Sequence, residues 1–150
     1  MSIDDKYKSF QEEYRIEFER GIAKRVEKNK LIENEKRCKE IADKMLLSTV
    51  NGFEGYSIQE YTGIVTSNIV LGTGLLSELE SQINDLFGTN SNMFEDKLMK
   101  AKEKALEKVK LIAATKGANG LIGISFDVEI TNTNMFIVSV TATGVNIVKN

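Results

Sequence analysis

The sequence predicts an α+β domain with a mainly antiparallel sheet, preceded by an N-terminal helical arm. Three observations carry this. Residues 1–45 are dense in mixed charge and carry helical but no strand periodicity. The stretch "LIGISFDVEI" alternates apolar and polar residues strictly, as a strand with one buried face does. Between them the periodicities run strand, strand, helix, helix, and two strands close the chain, a β-β-α-α-β-β order that suits antiparallel pairing. Two segments follow, a helical arm over 1–45 and an α+β domain over 46–150.

In the arm, Tyr7, Phe10, Tyr14, Phe18, Ile22 and Val26 recur at steps of three or four. That spacing draws one apolar stripe along a helix. The steps are mostly of four, so a strict heptad coiled coil is not indicated. Glu33–Arg37 and Glu40–Lys44 stand at i,i+4, where pairing adds tenths of a kcal/mol each. Gly21 interrupts the stripe at a cost of about 1 kcal/mol relative to Ala. A helix with one apolar side needs a partner: its own domain or a neighbouring subunit, or else a different protein or a membrane surface, the last disfavoured because its acidic residues nearly balance its basic ones. Cys38 reads as a small apolar filler on the same helix.

From Leu46 the rules change. "LLSTV" is a short strand candidate closed by Asn51 and Gly52. Tyr56 to Val70 reads as a long strand, in which Gly63 suits a bulge. "LGTG" turns into a short helix over Leu75 to Phe87, ended by Gly88. Asn92 and Glu95 then resemble a capping box. Phe94, Leu98, Ala101, Ala105, Val109 and Ile112 mark one face of a second helix that Gly117 ends. Ile122, Ile124, Phe126, Val128 and Ile130 form the buried face of the next strand. "TNTN" turns, and Phe136, Val138 and Val140 line the last strand. Gly144 shifts its phase, so that Val145 and Ile147 take over the apolar role.

Composition excludes several chemistries. There is no histidine and a single cysteine, so Ser-His-Asp and Cys-His catalysis and a closed zinc site from one chain are out. One thiol makes no internal disulfide, so a cytoplasmic setting is expected. The start lacks the basic-then-apolar layout of a secretory signal. No run approaches the roughly 20 apolar residues of a spanning helix. A net charge of −2 gives no bulk reason for nucleic-acid binding. Among carboxylates, Lys and Tyr no pair has the spacing of a general acid and base, so a non-enzymatic protein without a cofactor is expected.

"VNGFEGYSIQEYTGIVTSNIVLGTG", "FEDKLMKAKEKALEKV", "GANGLIGISFDVE" and "VSVTATGVNIV" resemble, in order and spacing, the YbjQ-like family, labelled a heavy-metal-binding domain. The resemblance covers Leu47 to Val148 and leaves residues 1–45 outside. It implies a compact α+β subunit assembling into a closed ring, a homopentamer. Gly74 stands where many relatives carry Asn, Lys102 where Arg is common, and Gly120 where the motif ends in Ala. The heavy-metal label meets a domain without Cys or His; oxygen ligands remain for a hard cation.

The candidate sites are few. Glu60 falls in phase with Ile58 and Ile64, and a buried unpaired carboxylate is costly. A bulge at Gly63 can turn it to water, a hydrogen bond to backbone or a neighbouring subunit can hold it, or it can face a cavity and bind a cation. Gly72, Thr73 and Gly74 join a strand to a helix, a plain turn or an anion site. Asp127 and Glu129 share a polar strand face, either solvated or offering oxygens to a cation. Tyr61, Val65 and Ile69 place apolar groups on the second side of the long strand, which suggests burial by a sister subunit. The expectation is therefore a ring-forming homo-oligomer, with a ligand or cation carrier using Glu60, Gly72–Gly74 and Asp127 as the other reading.

Overall fold

The computed structural model describes residues 3–71, 90–130 and 135–150. The chain divides into two compact units, Met1–Arg37 and Cys38–Asn150. The first unit is helical, the greater part of α1 (Ile3–Asp43), which continues through Gly21. Every residue of this unit whose side chain is described is exposed. Among the described residues the ion pair that closes is Arg15–Glu12 at 2.6 Å, an i,i+3 pair; Glu33–Arg37 and Glu40–Lys44 do not close.

The second unit contains β1 (Leu46–Leu47), β2 (Tyr56–Leu71), α2 (Asn90–Thr115), β3 (Gly120–Ile130) and β4 (Phe136–Lys149). The strands form one mixed sheet in the order β1-β3-β4-β2. β2 and β3 both pair antiparallel with β4, while the short β1 pairs parallel with β3. The α+β class with a mainly antiparallel sheet holds. The turn at Gly72–Gly74, the helix expected over Leu75–Phe87 and the "TNTN" turn lie outside the described residues.

The core lies between one side of the sheet and α2. Ala101, Ala105, Val109 and Ala113 point inward from α2 and are essentially fully buried. Their small side chains let the helix approach β2 and β4 closely. From the sheet come Val65, Leu121, Val138, Val140 and Ala142, and from the end of α1 and the residues after it come Cys38, Ala42 and Met45. Fully burying each larger aliphatic group contributes about 1.5–3 kcal/mol. Cys38 is the apolar filler its spacing predicts. α2 begins at Asn90, two residues before the Asn expected to cap it.

At its other end α2 closes as the glycine predicts. Gly117 adopts φ +85°, and the amides of Gly117 and Ala118 bond the carbonyls of Ala114 and Ala113, both at 3.0 Å. This is a Schellman cap, in which a left-handed residue satisfies the last carbonyls.

Of two expectations about strand faces one is met and one needs correction. In β4 the buried apolar residues are Val138, Val140 and Ala142 before Gly144 and Val145 and Ile147 after it, so the apolar phase shifts at that glycine, opposite a register shift in β2. Val145 and Ile147 join Ile122, Phe53, Tyr56 and Ile58 in a second cluster. β3 in turn does not keep one buried face. Its register slips between Ile122 and Ser125, where Gly123 has φ +60°. Leu121 and Ile124 therefore pack in the main core while Ile122 packs in the second cluster. Phe126 and Val128 lie near the free edge and stay more than a third exposed.

Candidate functional site

The long strand β2 is the element that distinguishes this domain. It is a 16-residue strand at one edge of the sheet, paired along one side with β4. Its other side has no strand partner among the described residues. The backbone groups of such an edge are open to another strand, a feature that single-chain proteins usually cover. The Lys116 ammonium donates to the Ile64 carbonyl at 3.2 Å.

β2 is also two-sided. Val65 and Ser67 are buried against the core, while Ile64 is 71% exposed and Val70 57% exposed. Tyr61 is exposed as well. A second open edge lies across the sheet. β1 and the residues after it bond to β3 as far as Ile124, through Ser48, and among the described residues no strand covers Ser125–Ile130 on that side.

Two register shifts in β2 decide the position of Glu60. Ile58 faces Ile147 but Glu60 faces Asn146, so Gln59 is an extra residue. Tyr61 faces Val145 but Gly63 faces Gly144, so Thr62 is another. Gly63 takes φ +104°, a conformation that costs other residues strain. The bulges break the alternation that put Glu60 on the side of Ile58. Glu60 is exposed, and among the described residues it has no hydrogen-bond or ion-pair partner. Of the three readings of this carboxylate, the single subunit realises the one that turns it to water.

The other candidates do not meet it. Asp127 and Glu129 are exposed on one side of β3, opposite Ser139 and Ile137. Glu60 faces Asn146 on the far side of β4. Along β4, Asn146 and Ser139 are separated by roughly 23 Å at the usual strand rise. Glu60 and Asp127 therefore cannot share a ligand within one subunit. A shallow recess of about 210 Å³ between the end of α1 and α2 is lined by Lys39, Asp43, Glu107 and Lys110, whose charges balance. It is smaller than the roughly 300 Å³ at which ligand pockets begin.

Three polar residues escape sequence reasoning. Asn119 uses its side-chain amide as a piece of strand: its Nδ2 donates to the Ile147 carbonyl at 2.8 Å, and its Oδ1 accepts from the Ile147 amide at 2.7 Å. Its own amide bonds the Val145 carbonyl at 3.0 Å, so Asn119 holds β4 at consecutive steps. The hydroxyls of Thr62 and Ser67 are buried and have no hydrogen-bond partner among the described residues. Ser67 shares the apolar phase of Val65 and Ile69, which is the one signal that could have exposed it. Thr62 Oγ1 fills the space beside Gly144, where a Cβ would overlap it.

The geometry can be set beside known proteins. A family model described as "Putative heavy-metal-binding" (YbjQ_1) matches residues 45–148. The chain belongs to the YbjQ-like family. A "UPF0145 protein" of Bacillus cereus (strain ATCC 10987 / NRS 248) is 33% identical over 103 residues, 69% of this chain and all of that one. A crystal structure of a protein of unknown function of the DUF74 family from Pediococcus pentosaceus ATCC 25745 aligns at TM-score 0.44 and 21% identity, covering 69% of this chain and 98% of that one.

The metal in the family's description does not fit these residues. The YbjQ-like region contains neither Cys nor His, and Cys38 lies before it, buried in the core. Among the described residues no group of three or more Cys, His, Asp or Glu could hold an ion. Soft metals select thiolate, thioether and imidazole ligands. Met45 is enclosed in the core while Met99 is exposed on α2, so they offer no shared thioether site.

Proposed function

We propose that this YbjQ-like protein is a non-enzymatic homo-oligomer whose subunits close into a ring, a homopentamer, with the N-terminal helices packing between subunits or engaging another protein. The observation that carries the reading is β2: a 16-residue edge strand whose outward side presents Ile64 and Val70 to water. A sister subunit that covers this strand removes both liabilities at once, the open backbone and the exposed apolar groups. The two open edges, β2 and the far part of β3, differ from one another. Joining unlike edges is a head-to-tail contact, which generates a ring when the rotation closes. The single unpaired thiol supports a cytoplasmic setting.

Native mass spectrometry of the full chain tests the assembly. Rings of five 16.8 kDa subunits, alone or joined, are expected. A monomer at micromolar concentration removes the reading.

A second reading has its own observation. Glu60 is exposed and unpartnered beside the edge that assembly would cover. A carboxylate taken into an interface needs a counter-charge. In a small-ligand or cation carrier with sites between subunits, Glu60, Asp127 and the Gly72–Gly74 turn would supply oxygens and N–H groups from different chains. Thermal shift against divalent cations, phosphate and nucleotides tests it; silence across the panel for wild type and Glu60→Gln ends it.

A further inference from the structure

We infer that the N-terminal helix pairs with the same helix of a second copy, antiparallel and about an axis through Phe18. The inference rests on the self-assembly reading only in taking another copy of this chain as the partner. It commits that helix to one occupant.

Phe10, Tyr14, Phe18, Ile22 and Val26 form an unbroken i,i+4 ridge on α1, and each is between 47% and 67% exposed. Ridges of this class interdigitate with one another at a crossing angle of about 50°, the commonest packing of two helices. The ridge is centred on Phe18. Turned end to end on a second copy, it sets Phe10 near Val26, Tyr14 near Ile22, and Phe18 near its own counterpart.

The charge pattern selects the direction. Within the ridge, Glu12, Glu13, Arg15 and Glu17 stand before the centre and Glu19, Arg20, Lys24 and Arg25 after it, so the first half carries a net charge of −2 and the second of +2. In the antiparallel pair Glu12 lies across from Lys24, with Glu13 and Arg25 beside them, while Glu17 meets Glu19 at the centre. A parallel pair would set glutamates on glutamates and basic residues on basic residues, the arrangement that charged flanks disfavour. The apolar ridge thus sets the register, and the opposite net charge of its two halves favours the antiparallel direction.

A twofold contact cannot join neighbours around a five-membered ring. It joins subunits of two rings, or two lone chains.

The test uses the full chain in two charge-reversed forms, Glu12→Lys with Glu13→Lys, and Lys24→Glu with Arg25→Glu. Each form alone should associate about tenfold more weakly through the helix, from several exposed pairs made repulsive. In native mass spectra each should show half the wild-type mass, and a one-to-one mixture should restore it. Wild-type mass for either form alone, or no recovery on mixing, overturns the inference. So does a helix that stays unpaired in the purified protein, whether its ridge then takes up another protein or a lipid surface.

Direction is read separately by disulfide trapping in a Cys38→Ala background. Chains with Tyr14→Cys should cross-link to chains with Ile22→Cys and not to themselves; Tyr14→Cys chains linking to one another would show a parallel pair. Failure of the ring and failure of the helix pair look different. Without the ring, wild type is a dimer and the reversed forms are monomers. Without the helix pair, all forms keep one mass.

Discussion

Replacing Asn119 by Ala removes both bonds by which its side chain holds Ile147, at 2.8 and 2.7 Å. A side-chain hydrogen bond contributes about 0.5–1.5 kcal/mol net, and a half-buried backbone group left without a partner adds to the loss. The two together predict a destabilisation of about 2–3 kcal/mol for Asn119→Ala. Asn119→Asp is the sharper variant. A carboxylate can still accept from the Ile147 amide, but its second oxygen then faces the Ile147 carbonyl, acceptor against acceptor. At neutral pH it should cost at least as much as Ala despite being closer in shape. Urea unfolding followed by circular dichroism reads both, at one protein concentration so that assembly contributes equally. The midpoint should fall with an unchanged slope. A loss below about 0.5 kcal/mol for Asn119→Ala, within the range of ordinary surface changes, or wild-type stability for Asn119→Asp, refutes the clamp.

Three further outcomes are expected from the same assay. Gly63→Ala forces a side chain into φ +104° and should cost about 1–3 kcal/mol; a neutral result would mean the bulge relaxes without it. Ser67→Ala removes a buried hydroxyl that has no partner among the described residues and should leave stability equal or raise it by about 1 kcal/mol, whereas a clear loss would reveal a further bond. Glu60→Gln, at an exposed position without a partner, should stay within about 0.5 kcal/mol of wild type in unfolding, and a larger drop would contradict that placement.

Much of this fold is legible in the chain because its signals are local. The inward face of α2 is written in Leu98, Ala101, Ala105 and Val109 at helical spacing, and its end in Gly117, since only a left-handed residue closes the last turn there. What escapes is set by pairing between distant residues. Gln59 and Thr62 look like ordinary strand residues, and only their register against β4 makes them bulges. For that reason Glu60 reads as facing inward until the partners are known. Phe126 and Val128 alternate as a buried face would, yet among the described residues no element covers their edge. Asn119 gave no local sign, because its partner Ile147 is far along the chain. The exposed ridge of α1 and the uncovered side of β2 are the reverse case: their apolar periodicity is plain in the sequence, and the single subunit leaves it unburied.

Residue-resolved amide hydrogen exchange along β2 in the full-length protein bears most directly on self-assembly through that strand. If a sister subunit pairs with the open edge, amides on both sides of β2 exchange slowly, those directed at β4 and those directed away. Protection confined to the amides that face β4, with fast exchange of the rest from Val65 to Leu71, would mean that the edge is wet and that the strand has no second partner.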